Sequence, residues 1–342
     1  MKKPLVSIII VNWNGGEVFD DCLKTLKNLD YPAWELIVVD NASTDGSEKL
    51  PGKYRLPYKR YVLIKNKKNT GFAPANNQGR LKAKGEYILL LNNDTKVPMD
   101  FLTKMVDRME EDKSIGAMQP KIKLMDKPEY LDNAGTFLTR TGFLKHWGFM
   151  ERDRREFNRE RIIFSAKGAC LLTRDGVIKK AGGLFDDDFV SYFEDSDYCY
   201  RVWLTGYKVI YWPGTFIYHK LGYTSKRMSQ IGINYNSLKN SIASYFKNLG
   251  AISLFTLWLS HIVLILGLGF YYLARLRWDK AKMVFDALKW NALNFGKNLR
   301  KRNKIQKLRI VSDGEIFRQV MHKVNIIELL SHFLKVEANF KQ

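Results

Sequence analysis

Five short clusters in this chain gather polar side chains of types that could do chemistry. The first, Asp40-Asn41-Ala42-Ser43-Thr44-Asp45-Gly46-Ser47, directly follows the apolar run Leu36–Val39. Carboxylates and amides there can bond the ribose hydroxyls and base edge of a nucleotide, although the same residues also make turns and helix N-caps. The second, Asn69-Thr70-Gly71-Phe72-Ala73-Pro74-Ala75-Asn76-Asn77, joins a glycine that permits close backbone approach to the free N–H groups of a following helix. The third, Asn92-Asn93-Asp94, follows Leu89-Leu90-Leu91. A divalent metal bridging a diphosphate wants a few hard oxygen ligands of this kind, with phosphate and water supplying the rest. A plain polar turn would look the same. The fourth, Phe193-Glu194-Asp195-Ser196-Asp197, holds three carboxylates in four residues. Acidic residues favour helix N-termini, but crowding on this scale also raises a carboxyl pKa and suits it to general-base work. The fifth, Tyr218 to Ser225, contains His219. A lone histidine is usually packed or solvated; near a metal, its neutral imidazole is a good ligand for manganese-like ions.

The elements that must position these clusters are legible from periodicity. Leu5–Val11, Leu36–Val39, Tyr61–Ile64 and Tyr87–Leu91 read as buried strands. Val18, Cys22, Leu23 and Leu26 mark one face of a helix, and Ala75–Ala83 a second, shorter one. Buried strands separated by helices predict an α/β fold, a mostly parallel sheet with helices on both faces. Ligands of such sheets sit at the carboxyl ends of the strands, where the clusters lie. Gly116–Leu124 and Ala169–Thr173 read as further strands, Asp195–Thr205 as a helix, and Lys208–Tyr211 as a strand closed by Trp212-Pro213-Gly214. The charge cluster Glu151–Arg161 reads as a solvated loop or helix face. The expected organisation is a catalytic domain over residues 1–225 and a basic helical region over 226–342.

Hydrophobic content of 46% excludes a disordered chain. Three scattered cysteines without CxxC spacing argue against a disulfide framework or a zinc site. Lys2 and Lys3 before Leu5–Val11 resemble the start of a signal peptide, but no cleavage pattern follows and a buried strand explains the run better. The net charge is +21, and residues 226–342 hold 20 Lys and Arg against 6 Asp and Glu. That tail suits an anionic partner, either nucleic acid or an acidic membrane face.

The segments VSIIIVNWN, ELIVVDNASTDGS, NTGFAPANNQG, LLLNNDTKV, GACLLTRDGVIKKAGGLFDDDFVSYFEDSDYCYRVWLTGYKVIYWP and YHKLGYTS, in this order, resemble family 2 inverting glycosyltransferases of the GT-A fold. They look closest to a rhamnosyltransferase-like branch that acts on lipid-linked acceptors. The resemblance spans about residues 5–225. It implies that Asp40 holds the donor's base or ribose, with Asn12 and Asp45 nearby, and that Asn69 and Gly71 line the nucleotide pocket. Asn92-Asn93-Asp94 stands where the family often has Asp-x-Asp: Asn92 replaces a carboxylate, and Asp94 is the metal-binding member. Asp195, preceded by Glu194, is implied as the catalytic base, and His219 completes the site for Mn2+ or Mg2+. Gly168, Ala169 and Cys170 would border the acceptor pocket, and Trp147 would stack on a sugar face. The implied partners are a nucleoside-diphosphate sugar, first of all dTDP-rhamnose, and a lipid-linked glycan on a polyprenyl diphosphate.

A processive polysaccharide synthase would need several spans and a Gln-x-x-Arg-Trp-type motif, which this chain lacks. A nucleotidyltransferase would carry a basic Gly-rich loop where Asn12–Gly16 stands. A non-catalytic nucleic-acid binder would leave the acidic clusters unexplained, so no nucleic-acid partner is expected. Ala251–Ala274 runs 24 residues without a charge, enough to cross a ~30 Å hydrocarbon core. A single crossing would export Arg275, Arg277, Lys280, Lys282 and Arg300-Lys301-Arg302, against the tendency of such residues to stay inside. A monotopic or re-entrant segment on the anionic cytoplasmic face of the membrane is therefore expected, with a buried core helix as the alternative. Truncation after residue 225 is expected to leave a more soluble domain that still binds donor.

Overall fold

A computed structural model describes residues 3–54, 60–223 and 227–322. Lys2, Thr224, Ser225 and the chain after residue 322 lie outside the described residues. Runs rich in Ile, Val and Leu form β1 (Val6–Asn12), β2 (Trp34–Asp40), β3 (Tyr61–Lys65) and β4 (Tyr87–Leu91), since such residues suit a sheet covered on both faces. Helices α1 (Gly16–Leu26) and α2 (Phe72–Lys82) supply the cover. Alternate residues of β1 serve opposite cores: Ile8 and Ile10 pack with Phe19 and Leu23 of α1, and Ile9 with Ala73 of α2. The chain continues through β5 (Thr95–Lys96), α3 (Phe101–Glu111), β6 (Ile115–Leu124), β7 (Leu131–Asn133), β8 (Thr136–Thr139), β9 (Leu144–His146) and β10 (Arg161–Ile162). It then forms β11 (Cys170–Arg174), α4 (Asp175–Lys180), α5 (Glu194–Leu204) and β12 (Lys208–His219).

The main sheet has the order β10-β12-β6-β11-β4-β1-β2-β3, with β5 on β12 and β7 on β6. Strands β3, β2, β1 and β4 run parallel, as do β6 and β12; β11 lies antiparallel between β4 and β6. This is the α/β architecture that the strand and helix pattern predicts. One expectation is corrected. The strand from Lys208 does not close at Trp212-Pro213-Gly214; its register against β6 shifts between Trp212 and Phe216, and β12 resumes to His219. Proline has no N–H for the ladder, so pairing skips a few residues at this irregularity instead of stopping.

Past residue 226 come α6 (Gln230–Asn248), α7 (Ala251–Ala274, with a π turn at Leu254–Trp258), α8 (Trp278–Leu293), α9 (Phe295–Gln306) and α10 (Asp313–Val320). Strand β13 (Met321–His322) then completes a three-stranded sheet with β8 and β9. Tyr245, Leu249, Leu257, Ile316 and Val320 share one core with Leu171 and Tyr198. Lys247, buried on α6, pairs with Asp186 and lies 3.3 Å from Asp197 on α5. Tyr200 donates to Asp313 at 3.1 Å. Truncation after residue 225 therefore has a different expected outcome from the one the sequence suggests. It leaves Asp186 and Asp197 without Lys247, and stripping one partner from a buried ion pair costs about 3–5 kcal/mol. Loss of folding is the expected result.

Candidate active site

Strands β1 and β2 end in register, Asn12 opposite Asp40. Asn12 Nδ2 donates to Asp40 Oδ1 (2.9 Å) and Ser47 Oγ (2.8 Å), and its Oδ1 accepts from Asn93 Nδ2 (2.9 Å). Asn12 is fully buried and its amide fully engaged, so it braces the pocket from behind, with Asn93 beside it. Asp40 also accepts from the Ser43 N–H (3.0 Å) and hydroxyl (2.6 Å). Asp45, exposed on the adjoining turn, accepts from the Gly16 N–H (2.9 Å) and the Ser47 N–H (3.0 Å) and hydroxyl (2.6 Å). Partial burial works against its charge, but these bonds hold the carboxyl below its ordinary value. The second loop is stitched to the first: Asn41 Nδ2 donates to Gly71 O (3.0 Å), and Asn69 Oδ1 accepts from the Gly71 N–H (2.9 Å). Gly71 has φ 92° and ψ 177°, a region essentially reserved for glycine. A Cβ there would come within 2.5 Å of Val190 O.

Beyond β4 lie Asn92 and Asp94. The second half of β12 pairs with β5, so His219 stands opposite Thr95. His219 Nε2 lies 3.2 Å from Asp94 Oδ1 and 3.5 Å from Asn92 Nδ2. Its Nδ1 bonds Asp132 Oδ2 at 2.8 Å, and both Asp132 oxygens accept from Lys167 Nζ at 2.7 Å. Burial opposes the charge on Asp132, yet Lys167 and His219 hold it well below the usual carboxylate range. Burial likewise opposes charge on His219, but Asp94 and Asp132 outweigh it and raise the imidazole to about 9. Asp94 Oδ1 is buried and, although the ring is near, accepts no aligned hydrogen bond among the described residues. The raised imidazole faces Asp94 Oδ1 as a cation; a divalent metal would take the place of its Nε2 proton, between a buried carboxylate oxygen and an imidazole fixed by a second carboxylate. No group of three His, Cys, Asp or Glu suited to a metal occurs among the described residues, so a diphosphate and water would complete the coordination.

Asp195 stands in the first turn of α5. Its Oδ2 accepts from the Gly168 N–H (2.9 Å) and its Oδ1 from the Ser196 N–H (2.7 Å). Burial raises the carboxyl above its ordinary value against these bonds, while the residue keeps partial exposure. Glu194 is buried, with Oε2 unpartnered among the described residues. Burial, then the charges of Asp195 and Asp197, push it well above the carboxylate range. Residues 168–170 join the two halves of the site: Gly168 holds Asp195, Ala169 O accepts from the Asn92 N–H (3.0 Å), and Cys170 pairs with Leu91. The Cys170 side chain is wholly buried and does not line a pocket. Trp147 keeps aromatic company. It packs with Phe137, Phe157 and Tyr211, and one ring face carries the Arg161 guanidinium at 4.6 Å.

Sequence reasoning missed Asp132 and Lys167. The only signal was a polar pair, Asp132-Asn133, between Leu131 and Ala134. Knowing that it faces His219 requires the pairing of β6 with both β7 and β12. Arg227 was also missed: it donates to Asn14 O at 2.5 Å and sits over the Tyr223 ring, bringing a cation to the loop between β1 and α1.

Comparison with known proteins agrees with this fold. TuaG of Bacillus subtilis, named for teichuronic acid biosynthesis, is 33% identical over 109 residues, which is 32% of this chain and 43% of that protein. The first relatives found are matched over 24–51% of their own lengths. The mannosyltransferase PcManGT of Pyrobaculum calidifontis, solved with GDP-Man and Mn2+, superposes with a TM-score of 0.54 at 20% identity, over 90% of this chain and 85% of its own. TarS 1-349 of S. aureus, solved with UDP-GlcNAc, gives 0.52 at 17% identity, over 71% and 67%. At these identities the likeness shows the fold. The family model for glycosyl transferase family 2 matches residues 7–182, from the second residue of β1 through β11 and α4, and the chain belongs to that family.

Proposed function

We propose that the chain moves a sugar from a nucleoside diphosphate to an acceptor hydroxyl with inversion at the anomeric carbon. Asp195 is the base, and Asp94 with His219 holds a divalent cation, Mn2+ or Mg2+. The observation that carries this is the buried Asp94 oxygen facing, at 3.2 Å, a histidine fixed by Asp132. Asp40, Asp45, Asn69 and Gly71 take the nucleoside, and Gly168 and Glu194 border the acceptor. Asp195 accepts the proton of the acceptor hydroxyl as that oxygen attacks the anomeric carbon and the nucleoside diphosphate leaves from the opposite face. The Gly168 and Ser196 N–H groups keep the carboxylate aimed while it does so. The cation, when bound, neutralises charge developing on the leaving diphosphate.

Rhamnose remains the first donor sugar to try, on the motif resemblance alone; UDP-GlcNAc and GDP-Man belong beside it because neighbours of this fold hold them. The acceptor is a polyprenyl-diphosphate-linked glycan of a cell-surface polysaccharide, in keeping with relatives such as TuaG. The enzyme sits on the cytoplasmic face of the membrane. Helix α7 packs along α8, which carries Asp279, Lys280, Lys282, Asp286 and Lys289. A crossing by α7 would drag those charges into hydrocarbon, so α7 lies in the plane of the surface with the basic residues on headgroups.

Donor hydrolysis with added Mn2+, over a panel of dTDP-rhamnose, UDP-glucose, UDP-galactose, UDP-GlcNAc and GDP-Man, tests the assignment. Asp195→Asn should lose about 10²-fold or more in kcat with donor affinity nearly intact. A chelator should abolish turnover, and Mn2+ should restore it. Normal turnover by Asp195→Asn removes the base, and full activity in excess chelator removes the metal.

A further inference from the structure

The turn that leads into Asp195 is held in a costly shape. Val190 (φ 42°), Tyr192 (70°) and Phe193 (70°) are non-glycine residues with positive φ, three within four positions. The branched Cβ of valine makes such a backbone unfavourable. Conformations of this kind persist only when their surroundings over-determine them. On one side the turn meets the donor loop: Val190 O accepts from the Ala73 N–H (2.9 Å) and Ser191 Oγ from the Phe72 N–H (3.2 Å). On the other side stands α6. Asn240, fully buried there, aims one Nδ2 at three carbonyls of the turn: Phe189 (2.9 Å), Ser191 (3.1 Å) and Tyr192 (2.6 Å). Its Oδ1 has no partner among the described residues. A half-satisfied buried amide is costly, and an apolar side chain would pack the same space more cheaply. Packing alone therefore does not account for an asparagine here; the three carbonyls do.

We infer that Asn240 is a positioning residue for the Asp195 base, holding the left-handed 189–193 turn that sets the first turn of α5 and the wall beside Gly71. The C-terminal helical layer is then part of the catalytic apparatus: Asn240 bonds the backbone of the turn, and Tyr245 packs on the Phe193 ring beside it. This rests on Asp195 being the base.

The test uses the full chain, Mn2+ and whichever panel donor the wild type hydrolyses fastest. Asn240→Leu keeps the heavy-atom count and the branching of the side chain, at somewhat greater bulk, and removes the donors. A misplacement of about 1 Å in a reacting group can cost about 10²-fold, so kcat should fall by about that factor. Donor affinity, read by calorimetry, should fall much less than kcat, because the turn meets the donor site at the Gly71 loop but does not touch Asp40 or Asp45. Val190→Gly added to Asn240→Leu should recover part of kcat, since glycine adopts the turn without help. Asn240→Ser, with one donor kept, should fall between. Wild-type kcat in Asn240→Leu overturns the proposal, as does an equal loss of kcat and donor affinity or the absence of any gain from Val190→Gly. If neither Asn240 variant folds well enough to bind donor, Asn240 is a core residue and the proposal falls too. Asp195→Asn, assayed alongside, keeps the two assignments apart. Its full activity removes the base whatever Asn240→Leu does, whereas an inactive Asp195→Asn beside a fully active Asn240→Leu overturns only the positioning.

Discussion

Glu194, Asp195 and Asp197 stand within four residues yet meet three environments. Asp197 is salt-bridged to Arg201 at 3.1 Å and lies near Lys247, and burial's push upward is overcome so that its carboxyl sits below the ordinary range. Glu194 is sealed and unpaired, and Asp195 keeps solvent access and two N–H donors. Of the three, only Asp195 combines partial exposure with a raised proton affinity. A base works ionised, so activity should be lost as pH falls through its pKa. Because burial lifts that pKa, the acid limb of kcat/KM should lie above pH ~4, where an ordinary aspartate titrates. A limb at or below that pH would remove the raised base. Asp197→Asn should instead lower Tm, because Arg201 and Lys247 lose a buried partner. The sequence named the carboxylate cluster and the resemblance singled out Asp195, but the residues alone could not divide the roles, since the division comes from Gly168 and from α6, far away in the chain. Asp132 extends the same lesson. Asp132→Asn leaves His219 without its anionic orienter and should weaken Mn2+ affinity about 10–100-fold, readable as the Mn2+ concentration for half-maximal donor hydrolysis. An unchanged Mn2+ requirement would mean that Asp132 serves only to neutralise Lys167.

Strands whose function is to be buried announce themselves, and those that carry a detour do not. β1, β2 and β4 were legible because continuous apolar runs can only sit between two helical layers. The second half of β12 was hidden by Pro213 and Gly214, which read as a terminator yet mark an irregularity inside the strand. His219 is delivered by that hidden half, so the proposed metal pair, Asp94 and His219, could be named by resemblance but not placed by periodicity. Loop conformation was legible in the opposite way. Gly71 announced a close approach, and the structure identifies Val190 as what approaches. Gly71→Ala should therefore act through the backbone: the φ and ψ are worth about 1–3 kcal/mol of strain for alanine, with the Val190 contact adding to it. A fall in Tm, accompanied by weaker donor binding, is the expected result. Unchanged Tm with weakened donor binding would show instead that the glycine is required by the ligand.

Across the whole molecule, charge and apolar surface separate in a way that fits a membrane face. The inward side of α7, including Leu257, His261, Ile265 and Tyr272, packs on the protein; His261 bonds both Ser241 Oγ and Thr141 O at 2.9 Å. Its outward side presents Ile252 (82% exposed), Phe255 (78%), Val263 (58%) and Phe270 (61%) with no charge among them. Trp278 and Leu276 at the α7–α8 turn, together with Phe295, are exposed as well, and Arg275, Arg277 and Lys280 lie at the same turn. Each such large apolar side chain contributes about 1.5–3 kcal/mol when fully withdrawn from water, and each nearby cation about 1 kcal/mol on an anionic leaflet. Several of each suffice for stable docking without a crossing. Phe255→Glu with Val263→Glu places two charges on the outward face and leaves the inward contacts alone. This double variant should fold with wild-type Tm, keep donor hydrolysis, and lose most of its co-sedimentation with vesicles of phosphatidylglycerol and phosphatidylethanolamine. Transfer to a polyprenyl-diphosphate-linked acceptor in those vesicles should fall in step. Neutral vesicles and high salt should weaken the wild type in the same direction, because the headgroup attraction is screened. Equal sedimentation of both proteins would place the docking surface elsewhere. Extraction of the wild type only by detergent, with a cysteine near residue 305 labelled from outside intact cells, would show that α7 crosses after all and carries α8 with it.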